Sequence, residues 1–218
     1  MTFIPPTFIA FTGVDRVQLR ADMERLSRRY PVEWGILIDE QPRQSVLFPA
    51  LDVVRALLED QKLRWAAHIC GTLAERIACG QEQSRFDLLK DFARLQINHG
   101  FAGSTHEQAR HCNRYASLTG ARAVLQCQGE FPSDLQVDWL YDVSFGRGSR
   151  PTSWPALPRD GAFCGYSGGI NAENVREILT AIAATPGSSY WIDMESGVRT
   201  DGMLDLGKCE AVCRAVFD

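Results

Sequence analysis

The chain has 218 residues, 45% of them hydrophobic and 23% charged, with a formal net charge of -4. That is enough apolar material for a buried core, which excludes a disordered chain, and the acidic balance with scattered basic residues excludes a basic nucleic-acid surface. No stretch is long enough to span a bilayer, and the apolar start at 2–10 contains Pro5 and Pro6 without a basic leader, so a cytoplasmic protein with no membrane partner is expected.

Short apolar runs alternate with helical patterns from one end to the other. Strands are predicted at 8–12, 33–38, 64–70, 93–98, 123–128, 139–144, 162–167 and 190–195. Between the first two, Leu19, Met23, Leu26 and Tyr30 recur at helical spacing. Leu51, Val54 and Leu58 do so after the second strand, and Val175, Ile178, Leu179 and Ile182 after the seventh. Thr105 and Gln108 form a capping box that starts a polar helix, and Cys209 and Cys213 share one face of a C-terminal helix. The connections after the fifth and sixth strands are thinner. Residues 131–137 have room for a turn or two, and Pro151, Pro155 and Pro158 make the next stretch irregular.

Eight βα units at about 27 residues each suit a single compact (β/α)8 barrel over residues 1–218, with a doubly wound open sheet as the competitor. The strand ends decide between them. Thr12, Asp39, His68, Gln96, Asn98, Gln126, Gln128, Asp142, Ser144, Ser167, Asp193 and Glu195 close otherwise apolar runs. Polar ends on every strand need a common hydrated mouth, which a barrel supplies on its C-terminal face.

The last two units end their strands in small residues, at Ser167, Gly168 and Gly169 and at Ser196 and Gly197. Glycines let a backbone approach a phosphate closely, and N–H groups at a helix start add donors and a positive dipole end. A phosphorylated small molecule is therefore the expected ligand. Seven cysteines without a C-x-x-C pair argue against a disulfide framework or a structural zinc site, so most are expected to be reduced and buried. His106, His111 and Cys112 lie together on the polar helix, but their spacing gives little support for a metal, and none is expected.

With the order of segments fixed, the chain resembles the phosphoribosylanthranilate isomerases, the small barrels of tryptophan biosynthesis. Ser167-Gly-Gly-Ile-Asn-Ala-Glu-Asn-Val175 is similar to the family's A-G-G-L-x-P-x-N-V, and Asp193-Met-Glu-Ser-Gly-Val198 to its D-V-S-S-G-V. Trp139-Leu-Tyr-Asp-Val143, followed by Gly146, Gly148 and Trp154, is similar to its L-L-D strand, glycine-rich loop and tryptophan. Leu95-Gln-Ile-Asn-His-Gly100 is similar to its Q-L-H-G with one extra residue, and Gln41-Pro-Arg-Gln-Ser45 to its S-P-R.

The resemblance implies a cofactor-free Amadori rearrangement of an aminoaldose phosphate to an aminoketose phosphate, by a monomer or homodimer. It places the acid on Asp142, substrate contacts on Arg43 and Gln96, and the phosphate on Gly168, Gly169, Ser196 and Gly197. Thr12 stands where the family's basic cysteine would be, and a threonine hydroxyl has no accessible anion near neutral pH. His68 and Cys70, in His68-Ile-Cys-Gly71, point to one face by strand period and are candidate substitutes, or else a hydrogen-bonded layer residue and an inert thiol. Glu195 adds a charge where the family has a small serine. A non-catalytic barrel that binds a phosphorylated metabolite or a protein partner is the alternative; a Schiff-base lyase or aldolase would need a strand-end lysine, and there is none.

Overall fold

Short apolar runs buried on both faces make parallel strands, and eight such runs of three to seven residues here close on themselves. The computed structural model describes residues 3–41, 45–82, 86–100, 103–144 and 147–218. Its strands are β1 (Phe8–Thr12), β2 (Val32–Ile38), β3 (Trp65–Ile69), β4 (Arg94–Ile97), β5 (Arg122–Cys127), β6 (Asp138–Tyr141), β7 (Cys164–Tyr166) and β8 (Tyr190–Met194). They pair in parallel in chain order, and β8 returns to β1 to close the barrel. The expected (β/α)8 barrel is thus the fold, and an open sheet is excluded.

Helices α1 (Arg20–Arg29), α2 (Leu51–Leu58), α3 (Gly71–Ala78), α4 (His106–Thr119), α5 (Val175–Ile182) and α6 (Leu206–Phe217) bury the stripes read from the sequence, such as Met23 with Leu26 and Val175 with Ile178, Leu179 and Ile182. Each fully buried aliphatic side chain in this layer contributes about 1.5–3 kcal/mol. The capping box on α4 forms in both directions, between the Thr105 side chain and the Gln108 N–H and between the Gln108 side chain and the Thr105 N–H.

The expectation of eight full βα units needs correction: among the described residues no helix follows β5 or β6. Aromatic rings cover the outer wall there instead. Phe131, Trp154 and Tyr190 each meet Tyr166 edge-on with ring centres 5.2–6.0 Å apart, and the Tyr166 hydroxyl donates to the Pro155 carbonyl at 2.7 Å. Prolines deny the segment a helix, and the tyrosines tie its carbonyls down. A two-stranded hairpin, β9 (Arg199–Thr200) with β10 (Met203–Leu204), separates β8 from α6.

The barrel interior has a charged floor and a polar mouth. Near the strand starts Arg94 is buried, stacked over Trp191 at 4.0 Å and paired with Glu33 at 3.4 Å. Phe8, Ala10, Val124, Leu140 and Trp191 fill the middle. Gly165 on β7 makes room for Trp191, since a Cβ there would collide with the indole. Above this plug, the alternation that points Phe8 and Ala10 inward carries Thr12 into the mouth.

Candidate active site

The mouth holds a cavity of about 360 Å3, near the lower end of the roughly 300–1,000 Å3 used by small-molecule sites. Strand ends position its walls, and the predicted Thr12, His68, Cys70, Gln96, Asp142, Gly168, Gly169 and Ser196 all line it. Asp39 and Gln128, also predicted at strand ends, are not in its lining. Arg43 lies outside the described residues. Gly197 is set back from the cavity, where a Cβ would collide with the Ile170 carbonyl, so its small size serves close packing of the two glycine turns.

Thr12 sits at the centre of a buried polar triangle. Its hydroxyl donates to Asp193 Oδ1 at 2.9 Å, and His68 Nε2 lies 3.2 Å from Thr12 Oγ1. His68 Nε2 and Asp193 Oδ2 are 3.8 Å apart. Thr12 has one hydrogen to give, and Asp193 takes it; His68 must then donate its Nε2–H to Thr12. Space for this contact comes from Gly35, the partner of Thr12 in the β1–β2 register, because a Cβ at Gly35 would stand 2.6 Å from Thr12 Oγ1. Burial pushes the His68 imidazolium down to about 3, helped by the charge of Arg94, so the ring is neutral at neutral pH.

Burial also pushes Asp193 up to about 7, against the Thr12 hydrogen bond and the Arg94 charge, with Asp142 and Glu195 adding like-charge repulsion. Across the mouth, Asp142 is held by three donors: the Ser144 N–H at 2.8 Å, the Ser144 hydroxyl at 2.9 Å and the Gln126 amide at 2.9 Å. Glu195 faces the same cavity, and its carboxyl is raised first by burial, with Arg199 opposing and Asp142 reinforcing the shift. Asp193 and Glu195 are thus both raised, burial being the first cause for each. Among the described lining residues the charged groups are Asp142, Asp193, Glu195 and Glu75, with no lysine or arginine.

Cys70 turns sideways. Its Sγ accepts from Asn98 Nδ2 at 3.5 Å and donates to the His68 carbonyl at 3.6 Å, while Gln96 Nε2 donates to Asn98 Oδ1 at 3.0 Å. The two strand ends are thus cross-linked by hydrogen bonds.

Gly168 and Gly169 take positive φ of 118° and 64°, and a Cβ on Gly169 would come within 2.8 Å of the Gly148 carbonyl. Only glycine permits this close return of the loop. The helix starts differ from expectation. At α5, Asn171 Oδ1 accepts from the Glu173 and Asn174 N–H groups, and Asn174 Oδ1 accepts from Asn171 N–H. At α6, Asp205 takes the Gly207 and Lys208 N–H groups beyond the hairpin. The cradle is accordingly a meeting of glycine turns, and these donors at the helix starts serve their own caps.

The histidines and cysteine on α4 have other occupations: His106 pairs with Asp134 at 2.6 Å, His111 Nδ1 lies 3.0 Å from the Ala78 carbonyl, and burial pushes the Cys112 thiol up to about 12. Five of the seven cysteines are buried and all seven are free thiols, with Cys79 exposed. Sequence reading counted Asp193 among the polar strand ends without assigning it a role. The signal was its period on β8 with Trp191; what it lacked was the contact with Thr12, 181 positions away.

No family model matches the chain. A curated N-(5'-phosphoribosyl)anthranilate isomerase of Lipomyces starkeyi is 38% identical over 83 residues, which is 38% of this chain and 32% of that protein, so the match spans about a third of the relative's length. Among solved structures, phosphoribosylanthranilate isomerase from Thermotoga maritima, titled as monomers generated from a dimeric enzyme, superposes with a TM-score of 0.61 at 14% identity, covering 95% of this chain and 97% of that one. The enzyme from Thermococcus kodakaraensis gives 0.59 at 16% identity, covering 99% and 100%. The likeness to the solved isomerases holds over nearly the whole length and shows the barrel fold, whereas the sequence likeness to the curated isomerase is confined to one segment of 83 residues.

Proposed function

We propose that this protein is an aldose-ketose isomerase of the Amadori type, acting on a phosphorylated sugar derivative that is the family's substrate or an altered version of it. The observation that carries the reading is the placement of Asp142 and the Thr12–His68–Asp193 triangle in one cavity with the Gly148, Gly168 and Gly169 turns. A phosphate seated on the glycine turns would direct the sugar across the mouth between the two carboxylate sites. In this reading Asp142 gives a proton to the ring oxygen as the C1–O bond breaks and the nitrogen lone pair forms C1=N. A base then removes the C2 proton, and the enolamine ketonises. No external oxidant is involved, since C1 is reduced as C2 is oxidised. The free thiols are in keeping with a reducing cytoplasm.

Thr12 in place of the family's cysteine favours a second reading, a barrel that binds a phosphorylated metabolite without turnover. One experiment separates the two: anthranilate fluorescence followed on fresh phosphoribosylanthranilate, with Asp142→Asn alongside. The isomerase reading expects turnover that falls at least a hundredfold in Asp142→Asn while ribose 5-phosphate still binds. Binding with no turnover by the unaltered protein would establish the second reading.

A further inference from the structure

We infer that Asp193, oriented by Thr12, is the base of this site, in place of the thiolate that Thr12 displaces. The inference rests on the isomerase reading and adds to it the group that takes the proton. Three observations support Asp193 over His68 and Cys70. First, the Thr12 hydroxyl pins Asp193 Oδ1 at 2.9 Å, while Oδ2 accepts no hydrogen bond among the described residues and its carboxylate lines the cavity. Second, the single hydroxyl hydrogen of Thr12 forces His68 Nε2 to act as a donor, so that nitrogen has no lone pair for a substrate proton. Third, Cys70 Sγ is engaged by Asn98 and by the His68 carbonyl. A carboxylate so placed has the right strength as well: a base raised toward neutrality suits abstraction from carbon better than an imidazole whose conjugate acid lies near 3.

The step balances without a further reactant. Asp193 Oδ2 takes the proton from C2 of the ring-opened iminium, the C–H pair becomes the C1=C2 bond, and the C=N pair returns to nitrogen. Ketonisation adds one proton at C1 and releases one from the C2 hydroxyl. The net change in the protein is one proton moved from Asp142 to Asp193, returned through the mouth before the next turnover. His68 is a positioning residue that fixes the direction of the Thr12 hydroxyl.

The groups that set the ionisation of Asp193 are Arg94 below it, Asp142 across the mouth, Glu195 on its own strand end and His68 across from Thr12. The test is kcat and KM against pH on phosphoribosylanthranilate for the unaltered enzyme, Asp193→Asn, Asp193→Glu and His68→Gln, with ribose 5-phosphate binding as the check on folding. We expect Asp193→Asn to lose at least a hundredfold in kcat with binding kept, and Asp193→Glu to recover part of it. His68→Gln, which keeps an N–H toward Thr12, should lose less than tenfold and retain the acidic limb of the profile. Turnover that survives in Asp193→Asn, or an acidic limb that vanishes in His68→Gln, overturns the inference and leaves the isomerase reading standing. No turnover by the unaltered enzyme overturns both.

Discussion

Glu195 is the residue most at odds with an anionic ligand. It ends β8 beside Ser196 in the cavity wall, and burial raises its carboxyl so that it gains its charge later than an exposed glutamate would. As pH rises and Glu195 ionises, a phosphate seated on the neighbouring glycine turns, as the isomerase reading proposes, would meet a like charge in a partly desolvated site. Replacing it with the small residue that the resemblance leads one to expect should relieve that repulsion. Glu195→Ser is expected to bind ribose 5-phosphate about tenfold more tightly at pH 8.5, a factor within the Coulomb energy of two charges in such a site. The gain should shrink at pH 5.5, in the direction in which Glu195 takes up its proton. Calorimetric titration at the two pH values measures it, and equal affinities at pH 8.5 would remove Glu195 from the ligand's surroundings.

Elements of this barrel were legible wherever their causes are local. Seven of the eight strands fall within a residue or two of their predicted bounds, and β6 ends three residues earlier than predicted, because apolar runs ending in a polar residue are written in consecutive positions. The α4 start was legible for the same reason. Thr105→Ala, which removes the acceptor for the Gln108 N–H, should cost about 1 kcal/mol in urea unfolding. It should leave turnover unchanged, since Thr105 does not line the cavity. Elements with distant causes were not legible. The missing helices after β5 and β6 are replaced by rings whose partners lie on β6, β7 and β8, and the hairpin that delays α6 is held by the Leu204 N–H donating to Asp15 at 3.0 Å. The site divides in the same way. Asp142 and the glycine turns came from motifs, whereas the Thr12–His68–Asp193 triangle needs β1, β3 and β8 brought together by closure. Gly35, which makes the triangle possible, carries no local mark at all.

At the scale of the molecule, the two buried ionisable groups of the triangle pull stability in opposite directions with pH. Asp193 is raised in the fold from an ordinary 3.8 to about 7, so the folded state binds the extra proton and stability is lost as pH rises through that interval. His68 is lowered from 6.5 to about 3, so the unfolded chain binds the extra proton and stability is lost as pH falls through that interval. The windows overlap and the slopes oppose. The melting temperature of Asp193→Asn relative to the unaltered protein should rise between about pH 4 and 7, and that of His68→Gln should rise as pH falls from 6.5 toward 3. Parallel profiles for all three proteins would show that the triangle is not buried as described.

The plug at the base of the barrel has its own consequence. Arg94 sealed beneath Trp191 and Phe8 closes the cavity from below among the described residues, as a flask is closed, and leaves the mouth as its neck. On the isomerase reading, substrate, product and the water that carries the proton back to Asp142 would all pass by that mouth in turn. While product sat there, the cavity could be neither refilled nor reset, so departure and recharging would become one event.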